Sequence, residues 1–402
     1  MKTLFNSEIK ERFYEWGKQN LRPTLIQREE EGKFDREIWK KMAVETGLFQ
    51  YLAAPNTVPS NSISNFISAL FGLSKGSLDI PFLLSVAAHG GASVQLLNHC
   101  GTPQQKLEFL PKMASGEWIA ALCNSEENAG TDIKGLRSNV TWLSEKQVCL
   151  NADKPIISNL SVAGIIFLSA KCPPRNEFMK ESIEVFVLRA ESAIQQWARN
   201  DLAGFRSGAT GGLSIKNLTF DFDTARLGNS GRGSDVLKYC FALERIFIPI
   251  LIAGTLEGMI DLGIEYVEKR QCFGRSISEF QYIQEKLIHI HQTKETILSM
   301  LFRLFHDDGV EKVDGFPVDD LLLSELKLFA VYEGFLAATR FFEIFGGKGY
   351  VRHPAQKILR DILGLKALGG TEEQQKIVIF QNLLSKHKKG SFYVEEPNRR
   401  TG

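Results

Sequence analysis

The feature that most constrains this chain is its hydrophobic period, which changes twice along 402 residues. Between Ser7 and about Met113, apolar residues recur with the three-to-four spacing of amphipathic helices. From Trp118 to about Leu227 the spacing becomes nearly two, which is typical of strands. After Gly233 the helical spacing returns. The order helices, strands, helices predicts an α+β chain whose sheet is segregated from its helices rather than wound between them.

The two changes of period divide the chain into three predicted domains. Residues 1–117 are predicted to form a helical N-terminal domain, residues 118–232 a middle antiparallel β-barrel or sheet domain, and residues 233–402 a C-terminal helical bundle. The connections between strand candidates are too short for crossover helices, which predicts antiparallel pairing. Residues 321–345 are apolar on nearly all sides, as expected for a helix at the centre of the bundle.

Composition excludes several classes of partner. The chain carries 48 Lys and Arg residues against 47 Asp and Glu residues, so no basic field exists to attract nucleic acid or an anionic membrane. Its longest apolar stretches run to about eight residues, whereas a membrane helix needs roughly 18 or more. We therefore expect no nucleic-acid partner and no membrane span. An N-terminal segment with acidic residues and no apolar core resembles neither a secretory signal nor a transit peptide, and a cytoplasmic location is expected.

Motif searches remove the simplest nucleotide and metal sites. The chain contains no GxxxxGK[ST] phosphate loop, and its glycine clusters do not stand between a strand and a helix as a dinucleotide fingerprint requires. Its histidines and cysteines form neither an HExxH motif nor a CxxC pair, so no metal site is predicted.

Seven segments, in a fixed order that covers nearly the whole chain, resemble those of acyl-CoA dehydrogenases. They are Phe109–Trp118, Ser125–Asp132, Lys154–Asn159, Glu244–Arg245, Lys269–Arg275 with Glu279–Gln281, Phe345–Tyr350, and Leu359–Asp361 followed by Gly370–Thr371. Any one segment is a weak signal, whereas seven in order are a strong one. The resemblance implies a helical N-terminal domain, a middle β-barrel and a C-terminal four-helix bundle, in agreement with the hydrophobic period.

The resemblance also implies an FAD site that is shared between subunits. Ser125, Thr131 and Ser158 would contact the isoalloxazine, because small hydroxyls both donate and accept hydrogen bonds. Residues of the C-terminal domain would hold the pyrophosphate and adenine half of the neighbouring subunit's cofactor, the arginine by charge-assisted hydrogen bonds. These residues are Arg270, Phe273 and Gln281. Gly346, Gly347 and Thr371 are further cofactor-binding residues that the resemblance implies. Such sharing requires at least a homodimer, and the family pattern implies a homotetramer.

The catalytic base is the point at which this sequence departs from most of the family. Most members carry a glutamate two residues before the threonine that Thr371 matches, and this chain has Gly369 there. A minority, resembling the isovaleryl and long-chain branches, carry the base on a bundle helix before an arginine, where this chain has Glu244 and Arg245. Glu244 is therefore the predicted base and Arg245 a predicted substrate contact. The alternative is a solvated helix residue. An apolar acyl pocket would raise the pKa of the Glu244 carboxyl toward neutral pH.

Three further departures concern the ligands. Ala242 replaces an aspartate near the pantetheine arm, Ile156 an aromatic residue near the flavin, and Glu343 a glutamine near the pyrophosphate. A negative charge at Glu343 would repel phosphate unless another residue pairs with it. Such differences fit a specialised member that acts on an acyl or aminoacyl group held by a carrier protein rather than by free CoA.

The predicted function is FAD-dependent α,β-dehydrogenation, by a dehydrogenase or an oxidase, of a short or branched acyl or aminoacyl thioester. The thioester would be carried by CoA or by an acyl carrier protein, and the electrons would pass to an electron-transfer flavoprotein or to oxygen. Two alternatives stay open. One is a reduced-flavin-dependent monooxygenase on the same fold, and the other is a non-catalytic binding protein, which a solvent-facing Glu244 would favour.

Overall fold

The N-terminal part of the chain is helical, as predicted. The structure, a computed structural model, describes residues 4–53, 61–130, 132–175, 177, 180–191, 194–199 and 201–391. The first helices are α1 (Ser7–Asn20), α2 (Leu25–Glu31), α3 (Arg36–Thr46), α4 (Ser62–Ser77), α5 (Ile80–Val86), α6 (Gln95–Cys100) and α7 (Pro103–Ala114). The Asp35 side chain caps α3 by accepting from the Ile38 N–H at 2.9 Å, and Gly47 ends α3 with a φ of 62°. Local capping signals in the sequence are therefore used in the fold.

Helices α5 and α6 belong to one helical run, Ile80–Cys100, which a π-helical segment at Ala87–Val94 joins. Among the described residues this run alone is long and apolar enough to cross a membrane by length and composition, yet 89% of its apolar window is buried inside the protein. The sequence prediction of short apolar stretches overlooked it, because buried polar residues such as His89 interrupt the apolar ones. A Cβ at Gly91 would come within 2.5 Å of the Phe247 ring, so the π segment packs directly on the C-terminal bundle.

The middle part forms a seven-stranded sheet. Its strands are β1 (Ile119–Cys123), β2 (Asn139–Trp142), β3 (Gln147–Ile157), β4 (Ala163–Cys172), β5 (Ser182–Arg189), β6 (Ile194–Ala198) and β7 (Gly211–Asp221), and α8 (Phe222–Ala225) follows. The strand order is β1-β4-β2-β3-β7-β6, with β5 also paired to β4. Most pairs are antiparallel, as predicted, but β1 and β2 run parallel to β4. Parallel pairing needs no crossover helix here because β3 carries the chain back between them.

The C-terminal part is a helical bundle. Its elements are α9 (Gly233–Lys269), β8 (Gln271–Cys272), β9 (Arg275–Ser276), α10 (Gln281–His306), β10 (Lys312–Val313), β11 (Phe316–Pro317), α11 (Asp320–Phe345), α12 (Gly347–Tyr350), α13 (Pro354–Leu365) and α14 (Glu372–Ser391). Helix α11 packs against α9, α10, α13 and α14, which makes it the bundle centre that its apolar sequence predicted. Together the three parts confirm the predicted α+β fold class.

Two hydrophobic cores meet at the sheet. One core is continuous from the N-terminal helices to the bundle and reaches one face of β4 through Ile165 and Phe167. The other core fills the opposite side of the sheet and includes Ile166 and Leu168. Because successive residues of a strand point to opposite faces, β4 is buried on both sides and joins the two cores.

A fully buried group of charges also joins the three parts, and we call Arg28, Asp79, Ser207, Lys357 and Asp361 the junction cluster. Asp79 accepts from Arg28 at 2.6 Å, from Lys357 at 3.2 Å and from the Ser207 hydroxyl at 3.0 Å. Lys357 also donates to Asp361 at 2.6 Å. Burial lowers the pKa of Lys357, but the carboxylates of Asp361 and Asp79 outweigh this and raise it above its usual range. Lys357 therefore stays protonated, and the cluster fixes helices α2 and α13 relative to the loop before β7.

Candidate active site

Glu244 lies on α9, the helix that packs against both α4 and α11. Its side chain is only partly accessible, and burial raises the pKa of its carboxyl to about 7 against the opposing charges of Arg245 and Lys327. Among the described residues, none donates a hydrogen bond to this carboxylate and no cation lies within 4.0 Å of it. A deep carboxylate without a partner is costly and is typical of functional sites. The geometry suits the predicted base, whose role stays a prediction.

The guanidinium of Arg245 is engaged with α11. It donates to the Asp320 carboxylate at 2.7 Å and to the Ser324 hydroxyl at 3.1 Å. Arg245 is buried, so these bonds satisfy a charge that water cannot reach freely. The side chain joins α9 to α11 immediately beside Glu244, and its predicted contact with substrate stays a prediction.

Gly369 lies directly against Glu244. A Cβ at Gly369 would be 3.6 Å from the Glu244 Cβ and 3.1 Å from the Ile248 Cδ1. The backbone φ of Gly369 is 63°, a conformation that residues with side chains rarely adopt. The two positions at which family members are expected to carry the base are therefore neighbours in space, and glycine at one of them leaves room for the carboxylate at the other.

The segment that carries Gly369, residues 366–370, is here called the glycine turn. Its carbonyl groups are held from two helices: Gln375 donates to Gly369 O at 3.2 Å, and Lys327 donates to Gly370 O at 2.6 Å and to Lys366 O at 3.3 Å. The N–H groups of Gly369 and Gly370 donate to no described residue. The turn therefore carries two backbone donors without a described partner, one of them on Gly369, which lies against Glu244.

On the sheet side, Ser125 follows β1 and Ser158 follows β3, and neither hydroxyl bonds to a described residue. The segment after Ser125 is fixed by Glu126, whose carboxylate accepts from two backbone N–H groups at 2.6 and 3.0 Å. Buried Lys154 donates to the same carboxylate at 2.8 Å and to Asn124 O at 2.9 Å. The predicted flavin-contacting serines are therefore free to bind a ligand and stand on a rigid support.

A second set of bonds attaches the sheet to the π-helical segment through Ala120 of β1. The Ala120 N–H donates to His89 Nδ1 at 3.0 Å, so the proton of the neutral ring lies on Nε2, which donates to Met113 O at 3.0 Å. Burial lowers the pKa of His89 to about 4. Asn159 Nδ2, beside Ser158, donates to Ala120 O at 2.9 Å. His89 is thus a neutral structural residue near neutral pH.

The cofactor residues predicted on the bundle lie at its surface. Arg270, Phe273 and Gln281 are exposed, Phe273 to 91%. Among the described residues, Arg270 makes no side-chain hydrogen bond or ion pair, and it lines a cavity of about 520 Å³ together with Lys348. The adjoining Gly346–Gly347 backbone has no atom within 4 Å of an added Cβ, so a ligand can approach it closely. The structure therefore places Arg270 and Lys348 at one cavity, and the glycines lie between two residues that line it, Phe345 and Lys348.

The remaining predictions about ligand residues have different outcomes. Thr371 accepts from the Gln374 N–H at 3.5 Å and so caps α14, while Thr131 lies outside the described residues. Glu343 forms an ion pair with Lys286, which offsets the negative charge that would otherwise repel phosphate. Ile156 is 51% exposed beside Ser158, as expected for an apolar side chain that a ligand covers.

Comparison with known proteins agrees with this geometry. The models for the acyl-CoA dehydrogenase N-terminal and C-terminal domains match residues 6–117 and 231–384. The mitochondrial 2-methylacyl-CoA dehydrogenase of Solanum tuberosum is 28% identical over 384 residues, which are 94% of this chain and 90% of that protein. The prolyl acyl carrier protein oxidase AnaB has a TM-score of 0.82 at 24% identity and covers 94% of this chain and 99% of its own. PigA with FAD and proline has a TM-score of 0.82 at 22% identity, with 94% and 97% covered.

The family models and the relatives place this helix–sheet–helix fold among flavin oxidoreductases of acyl groups. The two family models together match about two thirds of the chain, in the N-terminal helices and in the bundle. The chain belongs to the acyl-CoA dehydrogenase family, whose reaction class is the dehydrogenation of acyl thioesters. The family predicted from seven short segments is confirmed.

Three features of the site were not singled out from the sequence. Lys327 is a lysine in the middle of a segment that is otherwise apolar on nearly all sides, and this contrast is a usable signal. His89 stands beside two glycines in a buried helix, which is a weaker signal. The bond between Glu126 and Lys154 has no local signal, because Glu126 lies in the loop after β1 and Lys154 lies on β3, and the two meet only in the folded domain.

Proposed function

We propose that this protein introduces an α,β double bond into a short or branched acyl or aminoacyl thioester, with FAD as cofactor and Glu244 as the base that removes the α proton. The proposal rests on Glu244, a half-buried carboxylate that has no hydrogen-bond donor or ion-pair partner among the described residues. Burial raises the pKa of this carboxyl to about 7. A base is most effective when its pKa lies near the working pH, because it is then both ionised and basic enough to accept a proton.

The donor groups fit FAD. Neutral hydroxyls at Ser125 and Ser158 suit a flavin ring, and the cations Arg270 and Lys348 at one cavity suit a pyrophosphate. When bound, FAD supplies the acceptor for a hydride from the substrate β carbon. Because Arg270 lies on the exposed surface of the bundle, we assign it to the cofactor of a neighbouring subunit. This assignment requires a homodimer at least, and a homotetramer as a pair of such dimers.

The glycine turn supplies the second function that proton removal needs. Negative charge develops on the thioester oxygen as the α proton leaves, and donors that already point at that oxygen stabilise it. Gly369 adjoins Glu244, and its N–H and that of Gly370 donate to no described residue, so they are suited to this task. The carbonyls on the same turn are held by Gln375 and Lys327, so the donors are oriented before the substrate binds.

The packing beyond Glu244 supports a short acyl group. Phe247 follows Glu244 by one helical turn, and its ring lies 5.6 Å from Phe66 and 5.9 Å from Phe316 between ring centroids. All three rings are buried and fill the space between α4, α9 and the β10–β11 hairpin. An extended chain in this direction would have to displace close-packed aromatic rings, which costs several kcal/mol, roughly as overpacking does.

The carrier of the thioester and the electron acceptor are assigned from the departures noted above. Ala242 offers no carboxylate to a pantetheine arm, and similarity to a prolyl carrier protein oxidase supports an acyl carrier protein as the substrate's carrier. Similarity to a 2-methylacyl-CoA dehydrogenase supports a branched CoA ester as the second candidate. Oxygen would be the acceptor in the first case and an electron-transfer flavoprotein in the second.

The experiment is an anaerobic titration of the purified protein with two substrate sets. Prolyl and isovaleryl thioesters, each on carrier protein and on CoA, are added while flavin absorbance is followed. We expect a yellow protein that one thioester bleaches, with a product two hydrogens lighter. A product that gains an oxygen atom would identify a monooxygenase instead, and a protein that binds no FAD would refute the proposal.

A further inference from the structure

Lys327 is a buried lysine whose ammonium group faces the active site rather than solvent. Its Nζ donates to Gly370 O at 2.6 Å and to Lys366 O at 3.3 Å. Among the described residues, no carboxylate lies within 4.0 Å of this ammonium. A buried charge held only by neutral carbonyl groups is costly, and it is seldom found without a functional reason.

The two carbonyls that Lys327 holds belong to the glycine turn. Between them the turn carries Gly369, where a Cβ would lie 3.6 Å from the Glu244 Cβ. The opposite side of the turn is held by Gln375, which is itself buried. The place of the turn relative to the carboxylate is therefore set from α11 by Lys327 and from α14 by Gln375.

Electrostatics couples the same residues. Burial raises the pKa of Glu244 to about 7 and lowers the pKa of Lys327 to about 8, and each charge opposes the shift of the other. Arg245 is the other cation near Glu244, but it is already paired with Asp320. Lys327 is therefore the cation next to the base, among the described residues, whose charge no direct ion pair offsets.

Three other titratable groups among the described residues interact with Glu244 or Lys327: Cys240, Glu372 and Glu373. Cys240, one turn before Glu244 on α9, is a buried thiol whose pKa burial raises well above its usual value, so it stays neutral. Glu372 and Glu373, at the start of α14, face Lys327 and favour its protonated form. Their charges help to keep Lys327 cationic where Glu244 is already ionised.

We propose that Lys327 is a positioning residue, which fixes the glycine turn against Glu244 and supplies a positive charge that stabilises the ionised form of Glu244. The kinetic consequence rests on the proposed function, because it requires Glu244 to be the base. The charge coupling itself is a property of the folded chain and is measurable without substrate or cofactor chemistry.

The sign of the effect follows from linkage. The pKa of Glu244 rises from 4.5 to about 7 on folding, so the folded protein binds more protons than the unfolded chain between these values. The stability of the protein relative to Glu244→Gln therefore falls as pH rises through this window and, where residue 327 keeps its positive charge, becomes constant above about pH 7. Removing the charge of Lys327 raises the pKa of Glu244 further. The pH range over which stability falls must then extend to higher pH.

The test measures unfolding of four proteins from about pH 4 to pH 10, each with and without Glu244→Gln. The four are the unchanged protein, Lys327→Met, Lys327→Arg and the matched control Lys376→Met, which removes a charge from an exposed position on α14. We expect the constant region to begin near pH 7 in Lys327→Arg, whose charge persists, and near pH 8 in the unchanged protein and in the control, because Lys327 itself loses its proton there. In Lys327→Met it should begin at least one pH unit higher than in Lys327→Arg, which is a tenfold change in proton affinity.

The proposal would be overturned if Lys327→Met folds and its stability relative to the variant with Glu244→Gln becomes constant at the same pH as in Lys327→Arg. Failure of both Lys327→Met and Lys327→Gln to fold at any pH, even with Glu244→Gln, would also overturn it, because Lys327 would then serve the fold rather than Glu244. The acidic side of the pH profile of thioester oxidation should shift to higher pH in Lys327→Met by the same amount as the pH range over which stability falls. If Lys327→Met shifts the pH dependence of stability but the protein oxidises no thioester, the proposed function is wrong and the inference about Lys327 stands. If the protein oxidises a thioester but Lys327→Met shifts neither the pH dependence of stability nor that of oxidation, the inference is wrong and the proposed function stands.

Discussion

The junction cluster and the candidate active site both contain charged groups that are withdrawn from solvent. The charges of the junction cluster have direct ionic partners, whereas Glu244 and Lys327 of the candidate active site have none within the part of the chain that the structure describes. In the junction cluster, Lys357 and Asp79 each have direct partners at 2.6 to 3.2 Å. In the active site, Glu244 has no partner among the described residues, and Lys327 contacts only carbonyl groups. Compensated charge stays ionised and stabilises the fold. Uncompensated charge has a pKa near neutral pH and so remains able to exchange a proton.

The difference shows how a buried charge in this fold can be assigned to structure or to chemistry. Burial alone does not separate the two, because Lys327 is as completely buried as Lys357 and Asp79. The number of direct partners does, since each partner at hydrogen-bond distance offsets part of the cost of removing the charge from water. Three variants follow from this contrast.

Substitution of the base should have the greatest effect. Glu244→Gln keeps the shape of the side chain and removes its ability to accept a proton, so thioester oxidation should fall about 10²- to 10⁴-fold. Stopped-flow reduction of the bound flavin measures the loss, and absorbance of the flavin shows that the cofactor is retained. Glu268→Gln, at an exposed position on the same helix, is the matched control and should keep full activity. A loss of less than tenfold would mean that another group removes the proton.

The corresponding change in the junction cluster should act on stability. Lys357→Met leaves Asp79 and Asp361 buried without their shared cation, and we expect the free energy of unfolding to fall by about 3–5 kcal/mol. Chemical denaturation measures it, with exposed Lys376→Met as the control. Adding Asp361→Asn should recover part of the loss, because one unpaired charge is removed. Failure of the double variant to recover any stability would show that the charges do not act as a cluster.

The smallest effect is expected at the glycine turn. Gly369→Ala and Gly231→Ala both place a side chain at positive φ, 63° and 77°, and each should lose about 1–2 kcal/mol of stability. An added Cβ meets Ile248 and Glu244 only at Gly369, whereas at Gly231 it meets nothing within 4 Å. Gly369→Ala alone should therefore lower kcat/KM, by about ten- to a hundredfold, through displacement of the base. Equal kcat/KM for the two variants would separate the turn from the chemistry.

The secondary structure was largely predictable from the sequence, with instructive exceptions. The strand character of the middle region, from Trp118 to about Leu227, was predicted from the spacing of its apolar residues. The strand β2 was not predicted as a separate strand, because only Val140 of its four residues is buried. The parallel pairing of β1 with β4 was also missed, since it depends on the path of the intervening chain rather than on local spacing.

The candidate site was predictable only in part. Glu244 was selected through the family pattern, because its local sequence is equally compatible with a solvated helix residue. The neutralisation of Glu343 by Lys286 and the bonds of Lys327 to the glycine turn could not be inferred, since these partners lie on separate helices. Their contacts depend on how the bundle helices pack.

By itself, the sequence determined the succession of helices, strands and helices and the residue types available for flavin chemistry. Hydrophobic period, caps and turns act between near neighbours in the chain, so they can be read without a structure. Only the tertiary structure decided that Glu244, Gly369 and Lys327 meet, and that water is largely excluded where they do. Desolvation and charge coupling depend on distances through space, and these distances arise when α9, α11 and the glycine turn pack together.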